Sequence, residues 1–385
     1  MAIATMTQTA LIGGPNGSIV LSNSAPLPQE PLLDDQIAIA VKAVSLNPAD
    51  TKMTGDFHIP GAVLGCDVAG VVTAAGPTAA EEWGYRVGDR VTATVVGMNA
   101  LRPSIGGFAE HTVSWACAAQ RIPDGWSFAQ AAGGLGGVGW FTVPWALFHA
   151  MGLPAGPLLE PLNSQLPPPP RQPKLSIVTA HSGDGTKPTT AVLVSGGASY
   201  TGTCAIQLLK LAGFTVIATC SARNFDLARS FGADAVFDYA SPTAAADIRA
   251  YTGNSLRLAI DCITTPDSTR LCYAAMGRAG GRYVALEPYN ATVAATRAVV
   301  QPSWVFGLET LGEDIPWPAP YGRKANPVAR DFLKVWTATM QGLVERGVIR
   351  LHPQLVRDTG LAGVLEGVDE IRQKAVSGQK LIYTL

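Results

Sequence analysis

The chain has 385 residues, a length that accommodates two domains. Hydrophobic residues make up 47% and charged residues 15%, so core material is ample and the surface is sparsely charged. A formal net charge of −1, with no basic cluster, argues against nucleic acid and against anionic lipid as partners.

Six cysteines (Cys66, Cys117, Cys204, Cys220, Cys262 and Cys272) form no C-x-x-C pair. They read as buried free thiols of a reducing compartment, which makes a cytoplasmic location the expectation. The opening "MAIATMTQTALIGG" has neither a basic region nor a long apolar run, so no secretory signal is evident.

In chain order, short β-like runs come first: "IAIAVKAVSLNPAD" (37–50), "DVAGVVTAAG" (67–76) and "YRVGDRVTATVV" (85–96). Frequent Gly and Pro between β-branched residues predict an antiparallel barrel or sandwich. Residues 131–148, "AAGGLGGVGWFTVPWALF", carry no charge over a length near the minimum for a membrane span. Five glycines and Pro144 lower its helix propensity, so a buried place near a cofactor is expected instead. The Pro-rich, polar "LPPPPRQPKLSIVTAHSGDGTKPTT" (166–190) reads as an exposed connection or insertion.

From Thr190 the texture changes. "AVLVSGG", "FTVIATC", "AVFDYA", "LRLAIDCI" and "GGRYVALEP" read as strands. Helices are expected up to Leu211, through "NFDLARSFGA" and through "STRLCYAAMGRAG". That alternation predicts an α/β, doubly wound parallel sheet. The tail adds a helix, "VARDFLKVWTATMQGLVERG", and a closing strand, "GQKLIYTL".

The first of these strands runs into Ser195-Gly196-Gly197-Ala198-Ser199 before a helix resumes with Tyr200 and Thr201. Such a turn gathers backbone N–H groups and a helix N-terminus, a combination that attracts phosphate. Gly196, Gly197 and Gly202 allow close backbone approach, and Ser199 and Thr201 offer hydroxyls. The spacing is not G-x-G-x-x-G, and a purely structural βα turn is the competing reading. The following strand ends "ATCSARNFD", which puts Ser221, Ala222, Arg223 and Asn224 where a dinucleotide fold meets the adenosine ribose. An arginine and a hydroxyl there suit the 2′-phosphate of NADPH. Tyr239 is in position to stack on adenine; the competing reading makes Arg223 a solvated surface residue.

With these motifs in view, the chain resembles the medium-chain dehydrogenase/reductases. More narrowly, it resembles the stand-alone, trans-acting enoyl reductases that serve fungal polyketide synthases. The resemblance is carried by "SLNPADTKM" (45–53), "LGCDVAGVV" (64–72), "GYRVGDRV" (84–91), "SGGASYTGT" (195–203), "ATCSARNFDLARSFGADAVFDY" (218–239), "AIDCIT" (259–264), "AMGRAGGRYVALEP" (275–288), "WPAPYGR" (317–323) and the closing "SGQKLIY". It implies a GroES-like catalytic domain over 1–150 plus 320–385, a connection over 151–189 and a Rossmann NADPH domain over 190–319.

Zinc-using members of the family place a Cys in the segment here reading "LNPADTK" and a His-Glu pair where this chain has Cys66-Asp67. One Cys and one Asp fall short of the three protein ligands of a catalytic zinc, so a zinc-independent enzyme is expected. His58 and His111 read as structural. The implied chemistry is hydride attack on the β-carbon of an enoyl thioester. Charge developing on the thioester oxygen needs preorganised donors, and the α-carbon needs an acid or ordered water.

The resemblance implies catalytic roles for Lys52 and Thr142, with Asn47, Pro48, Ala49, Asp50 and Thr51 beside the cofactor. Leu286 and Glu287 would approach the nicotinamide carboxamide, and Ser377-Gly378 would close on the cofactor. Trp140, Phe141 and Thr142, together with Val305, Phe306, Gly307, Leu308 and Glu309, would line the acyl pocket. Two places depart from the family: Val143-Pro144-Trp145 follows Thr142, and Glu287 stands where relatives often carry Asn.

Prolines in the stretch after Val299 would blunt edge-strand pairing, which leads to the expectation of a monomer. The implied partner is the carrier protein of a polyketide synthase or of a synthase–peptide synthetase hybrid, met transiently. Two other readings stay open: a quinone or free-enone reductase, and a non-catalytic NADPH-binding partner of a synthase.

Overall fold

The computed structural model describes residues 7–28, 31–53, 55, 57–156 and 190–385. Most of the expected connection over 151–189 lies outside the described residues. The chain forms two compact units, 1–138 with 308–385 and 139–307.

The first unit begins with a separate antiparallel pair, β1 (Thr7–Gly13) and β2 (Ile19–Pro26). Its main sheet takes β3 (Gln36–Ser45), β4 (Asp67–Ala75), β5 (Arg90–Thr94), β6 (His111–Trp115) and β7 (Ala119–Arg121). These pair antiparallel, as the frequent turn signals predict. Gly70 is demanded by packing: a β-carbon there would lie 2.1 Å from the Ala40 carbonyl oxygen of the neighbouring strand.

The second unit holds β8 (Ala191–Ser195), β9 (Thr215–Cys220), β10 (Ala235–Asp238), β11 (Leu258–Asp261), β12 (Gly281–Ala285) and β13 (Val300–Trp304). The order is β10-β9-β8-β11-β12-β13 and every pairing is parallel. Counted from β8, that is the 3-2-1-4-5-6 order of a doubly wound dinucleotide fold. β8 and β11 flank the point where the order reverses. Helices over Tyr200–Leu211, Ala244–Tyr251 and Pro266–Ala275 connect the strands. The strand β13 forms in spite of Pro302, which sits opposite Tyr283. It lies at the edge of the sheet, where a missing N–H costs least.

The chain returns to the first unit with an amphipathic helix, Pro327–Glu345. Asn326 caps it by accepting from the Ala329 amide, and it buries Phe332, Leu333, Trp336, Met340 and Leu343. Then come β14 (Gln354–Arg357), a helix over Gly360–Arg372, and β15 (Lys380–Thr384). The closing strand predicted from "GQKLIYTL" is not peripheral: β15 lies between β14 and β3.

Among the described residues no helix is long and apolar enough to cross a membrane. The uncharged 131–148 stretch is spread over two short helices, Phe128–Gly134 and Gly137–Pro144, and a wider turn, Trp145–Ala150.

Candidate active site

In the second unit the turn after β8 is built against β9. The Gly196 and Gly197 amides both donate to the Thr219 carbonyl, at 3.0 and 2.9 Å. Gly196 has φ 80°, the left-handed region, which favours glycine. A β-carbon at Gly202 would lie 2.1 Å from the Gly196 carbonyl oxygen, so the helix comes as close to the turn as a glycine permits. Ser199 caps that helix. Its hydroxyl donates to Gly196 O at 2.7 Å and accepts from the Gly202 amide at 3.1 Å. The two leading glycines and the Ser199 hydroxyl thus hold the turn together. The end of the helix that opens with Tyr200 and Thr201, just after Ala198 and Ser199, carries the positive pole of its dipole.

At the end of β9 the chain makes a tight turn over Ala222–Asn224. Asn224 Nδ2 donates to Ser221 Oγ at 3.2 Å, and its amide donates to Ser221 O at 2.9 Å. Arg223 is exposed. The nearby Asp226 is paired with Arg229, and Asp238 ends β10. No carboxylate therefore occupies 221–224, the place an NAD-binding acid would take. Tyr239 is 59% exposed, and its amide points at Cys220 O across 3.4 Å, beside this edge.

The C-terminal ends of the other strands converge. Cys262 N donates to Ser195 O (3.0 Å), Leu286 N to Asp261 O (3.1 Å), and Val305 N to Ala285 O (3.0 Å). Leu286 and Glu287, both half-buried, leave β12 at this edge. Two predicted site residues also meet: a β-carbon at Gly307 would lie 1.8 Å from Thr142 Oγ1. Gly139, on the same helix as Thr142, presses on the Tyr200 ring. Trp140 and Phe141 are buried, as are Val305 and Phe306. Pro144 lacks an N–H, and the helix widens directly after it into a π turn closed by Met151 N to Ala146 O at 2.8 Å. Trp145 and His149 stack within that turn, ring centroids 3.7 Å apart.

In the first unit the candidate residues sit on a 3₁₀ turn, Pro48–Met53, directly after β3. Beneath it lies a buried polar network. Asp67, which opens β4, is 0% exposed. It accepts Thr94 Oγ1 at 2.7 Å, Asn47 Nδ2 at 2.8 Å and the Val138 amide at 3.1 Å. Lys380, 4% exposed, donates to Asn47 Oδ1, and its ammonium lies 3.7 Å from Asp67 Oδ2. Asp50 Oδ2 accepts the Asn47 amide at 2.6 Å, while its Oδ1 has no hydrogen-bonded nitrogen or oxygen partner. Burial, with Asp67 nearby, pushes the Asp50 carboxyl up to about 7; the Lys380 charge works against that rise. Burial also holds His352 down to about 4, with Lys380 adding to the effect.

Asn47 and Asp50, expected beside the cofactor, turn their side chains into this network, and Lys52 leaves the turn half-buried. Glu309, expected in an acyl pocket, accepts Asn326 Nδ2 at 2.6 Å and pairs with Arg323 at 3.4 Å. Ser377 is exposed, and Gly378 has φ 68°. Sequence reasoning missed Lys380 as a member of the network. The signal was a lone lysine opening an otherwise apolar terminal strand. Among the described residues no group of three His, Cys, Asp or Glu is arranged to hold a metal ion.

Comparison with known proteins agrees with both units. Residues 33–124 match the alcohol dehydrogenase GroES-like domain, and residues 201–298 match the zinc-binding dehydrogenase family. The chain is 65% identical over 385 residues, 100% of both proteins, to the trans-enoyl reductase tasC of Hapsidospora irregularis. It is 61% identical, again over 100% of both, to the trans-enoyl reductase cghC of Chaetomium globosum. Among solved structures, the CurK enoyl reductase superposes with TM-score 0.71 at 16% identity, covering 98% of this chain and 99% of its own. The quinone oxidoreductase of Coxiella burnetii gives TM-score 0.62 at 20% identity, covering 98% of each. These last two speak to the fold alone. With a GroES-like unit, a 3-2-1-4-5-6 parallel sheet and end-to-end identity to these relatives, the chain belongs to the trans-enoyl reductases of the medium-chain dehydrogenase/reductase family.

Proposed function

We propose that this chain is an NADPH-dependent enoyl reductase that saturates the α,β-double bond of a polyketide thioester carried by a partner synthase. The observation that carries the reaction class is the 65% identity, over the full length of both chains, to a protein named trans-enoyl reductase. NADPH is supported by the β9 edge, where Ser221, exposed Arg223 and Asn224 stand without a carboxylate. The N-terminus of the helix that starts at Tyr200 fits a pyrophosphate, and exposed Tyr239 fits an adenine ring.

Bound there, reduced nicotinamide supplies hydride to the alkene. The protein's part is to hold and polarise. Lys52 offers an ammonium either to the nicotinamide ribose or to the thioester oxygen, where negative charge develops. Thr142 offers a hydroxyl to the nicotinamide side, held against the bare backbone of Gly307. Leu286 and Glu287 would meet the carboxamide. We further propose a cytoplasmic monomer that docks transiently on the synthase's carrier protein.

Stopped-flow loss of NADPH absorbance tests the reading. An enoyl-pantetheine thioester should be reduced, and a simple quinone should not. Preferential turnover of the quinone would replace this reading with a quinone reductase. No oxidation with any acceptor would leave a binding partner without catalysis.

A further inference from the structure

The sequence motif "WPAPYGR" (317–323) has no part in the proposed function, yet the structure gives it a definite build. Ile315 and Arg323 pair through both backbone bonds, at 2.8 and 3.0 Å, and close the segment into a strap. Within it, the Tyr321 amide donates to Pro318 O at 3.0 Å. Gly322 has no room for a side chain: a β-carbon there would lie 2.5 Å from Trp317 O. Trp317 is buried, and its Nε1 donates to Met98 O at 3.0 Å.

From this base three rings pack in sequence. Phe57 lies 5.1 Å from Trp317 at an interplanar angle of 35°, and Tyr321 meets Phe57 nearly edge-on at 5.4 Å and 68°. The Tyr321 face is then turned to Lys52, whose Nζ is 5.2 Å from the ring centroid. Edge-on packing is the favoured arrangement of two aromatic quadrupoles, and a cation over a ring face is attracted by the same quadrupole.

We propose that Tyr321 is a positioning residue for Lys52; the inference rests on the reading of Lys52 as a site residue. A lysine carries its charge on a flexible four-carbon stem, so a ring packed against the ammonium narrows where it can go. An aromatic face restrains the ammonium and contains no group that accepts its proton. The strap therefore restrains the ammonium through the Tyr321 ring face without accepting its proton. Its rigidity, from Trp317 through Phe57 to Tyr321, is what makes the restraint directional.

The test uses the full-length protein with Tyr321→Leu, Tyr321→Phe, Lys52→Met and the Lys52→Met/Tyr321→Leu double variant. Tyr321→Leu should lower kcat/KM for an enoyl-pantetheine thioester by roughly 3- to 30-fold, the range of one cation–π contact. Tyr321→Phe should recover most of that loss. In the Lys52→Met background, Tyr321→Leu should cost nothing further. A second readout needs neither cofactor nor substrate: competitive acetylation of the apoprotein, read by peptide mass spectrometry. It should label Lys52 faster in Tyr321→Leu than in the parent.

An undiminished cost of Tyr321→Leu on top of Lys52→Met would overturn the inference, as would unchanged Lys52 labelling. If Lys52→Met itself leaves turnover intact, the reading of Lys52 falls, and the inference falls with it. Tyr321→Gln serves as an independent lesion should the leucine variant melt early.

Discussion

Lys380→Met removes the one ammonium of the network beneath the 48–53 turn while keeping nearly the same volume. Asp67, 0% exposed, would then keep its charge with three donors (Thr94, Asn47 and the Val138 amide) but no counterion. Asn47 Oδ1 would lose its donor as well. Breaking a buried ion pair from one side costs about 3–5 kcal/mol, because the remaining charge stays desolvated. The three surviving donors put the expected loss at the lower end, about 3 kcal/mol. For a unit of this size each kcal/mol moves Tm by about 2–4 °C, so a fall of roughly 6–12 °C follows. Scanning calorimetry is the assay, since two units need not unfold together. Adding Asp67→Asn should recover more than half of the loss, because no charge is then left buried alone. A fall in stability under about 1 kcal/mol in Lys380→Met, or strict additivity in the double variant, would refute the reasoning.

The same network gives opposed pH dependences. Asp50, raised to about 7, keeps a proton in the folded state that the unfolded chain has released, so its contribution to stability falls as pH rises from about 4 to 7. His352, lowered to about 4, stays neutral where the unfolded chain is charged, so its contribution rises between pH 4 and its ordinary 6.5. Each slope is at most about 1.4 kcal/mol per pH unit, and the two offset each other in the parent. Urea titrations should show stability rising with pH in Asp50→Asn and falling with pH in His352→Gln; flat profiles in both would contradict the assignments. Gly307→Ala would press a methyl onto Thr142 Oγ1 and should lower kcat more than it raises KM, by ten-fold or so if about 1.4 kcal/mol of transition-state stabilisation is lost. A kcat within two-fold of the parent would count against Thr142. Arg223→Ala should weaken NADPH binding by roughly 10- to 100-fold in calorimetry, the worth of a charged hydrogen bond, and leave NADH binding unchanged. Equal loss for both cofactors would remove Arg223 from the phosphate site.

Much of the second unit could be read from residues alone. A strand followed by a glycine turn and a helix is a local event. Its ingredients, Gly196 at positive φ and Ser199 as a cap, are short-range in sequence. The helices over Ala244–Tyr251 and Gly360–Arg372 were not anticipated; both are short amphipathic segments that lean on tertiary packing. Nor does local sequence explain how β13 survives Pro302, because only the sheet's order makes that strand an edge.

The sequence by itself determined the alternation of strands and helices, the glycine turn after β8 and the absence of an acid over 221–224. Each follows from backbone geometry or charge within a few neighbouring residues. Only the tertiary structure decided what Asn47, Asp50 and Lys52 pack against. Lys380 joins Asn47 and Asp67 across more than three hundred residues of chain, and Tyr321 reaches Lys52 from a strap that is also far off in sequence. Burial turns the first set into an internal ion lattice, and ring packing orients the second. Both effects depend on desolvation and three-dimensional contact, which no local pattern of residues encodes.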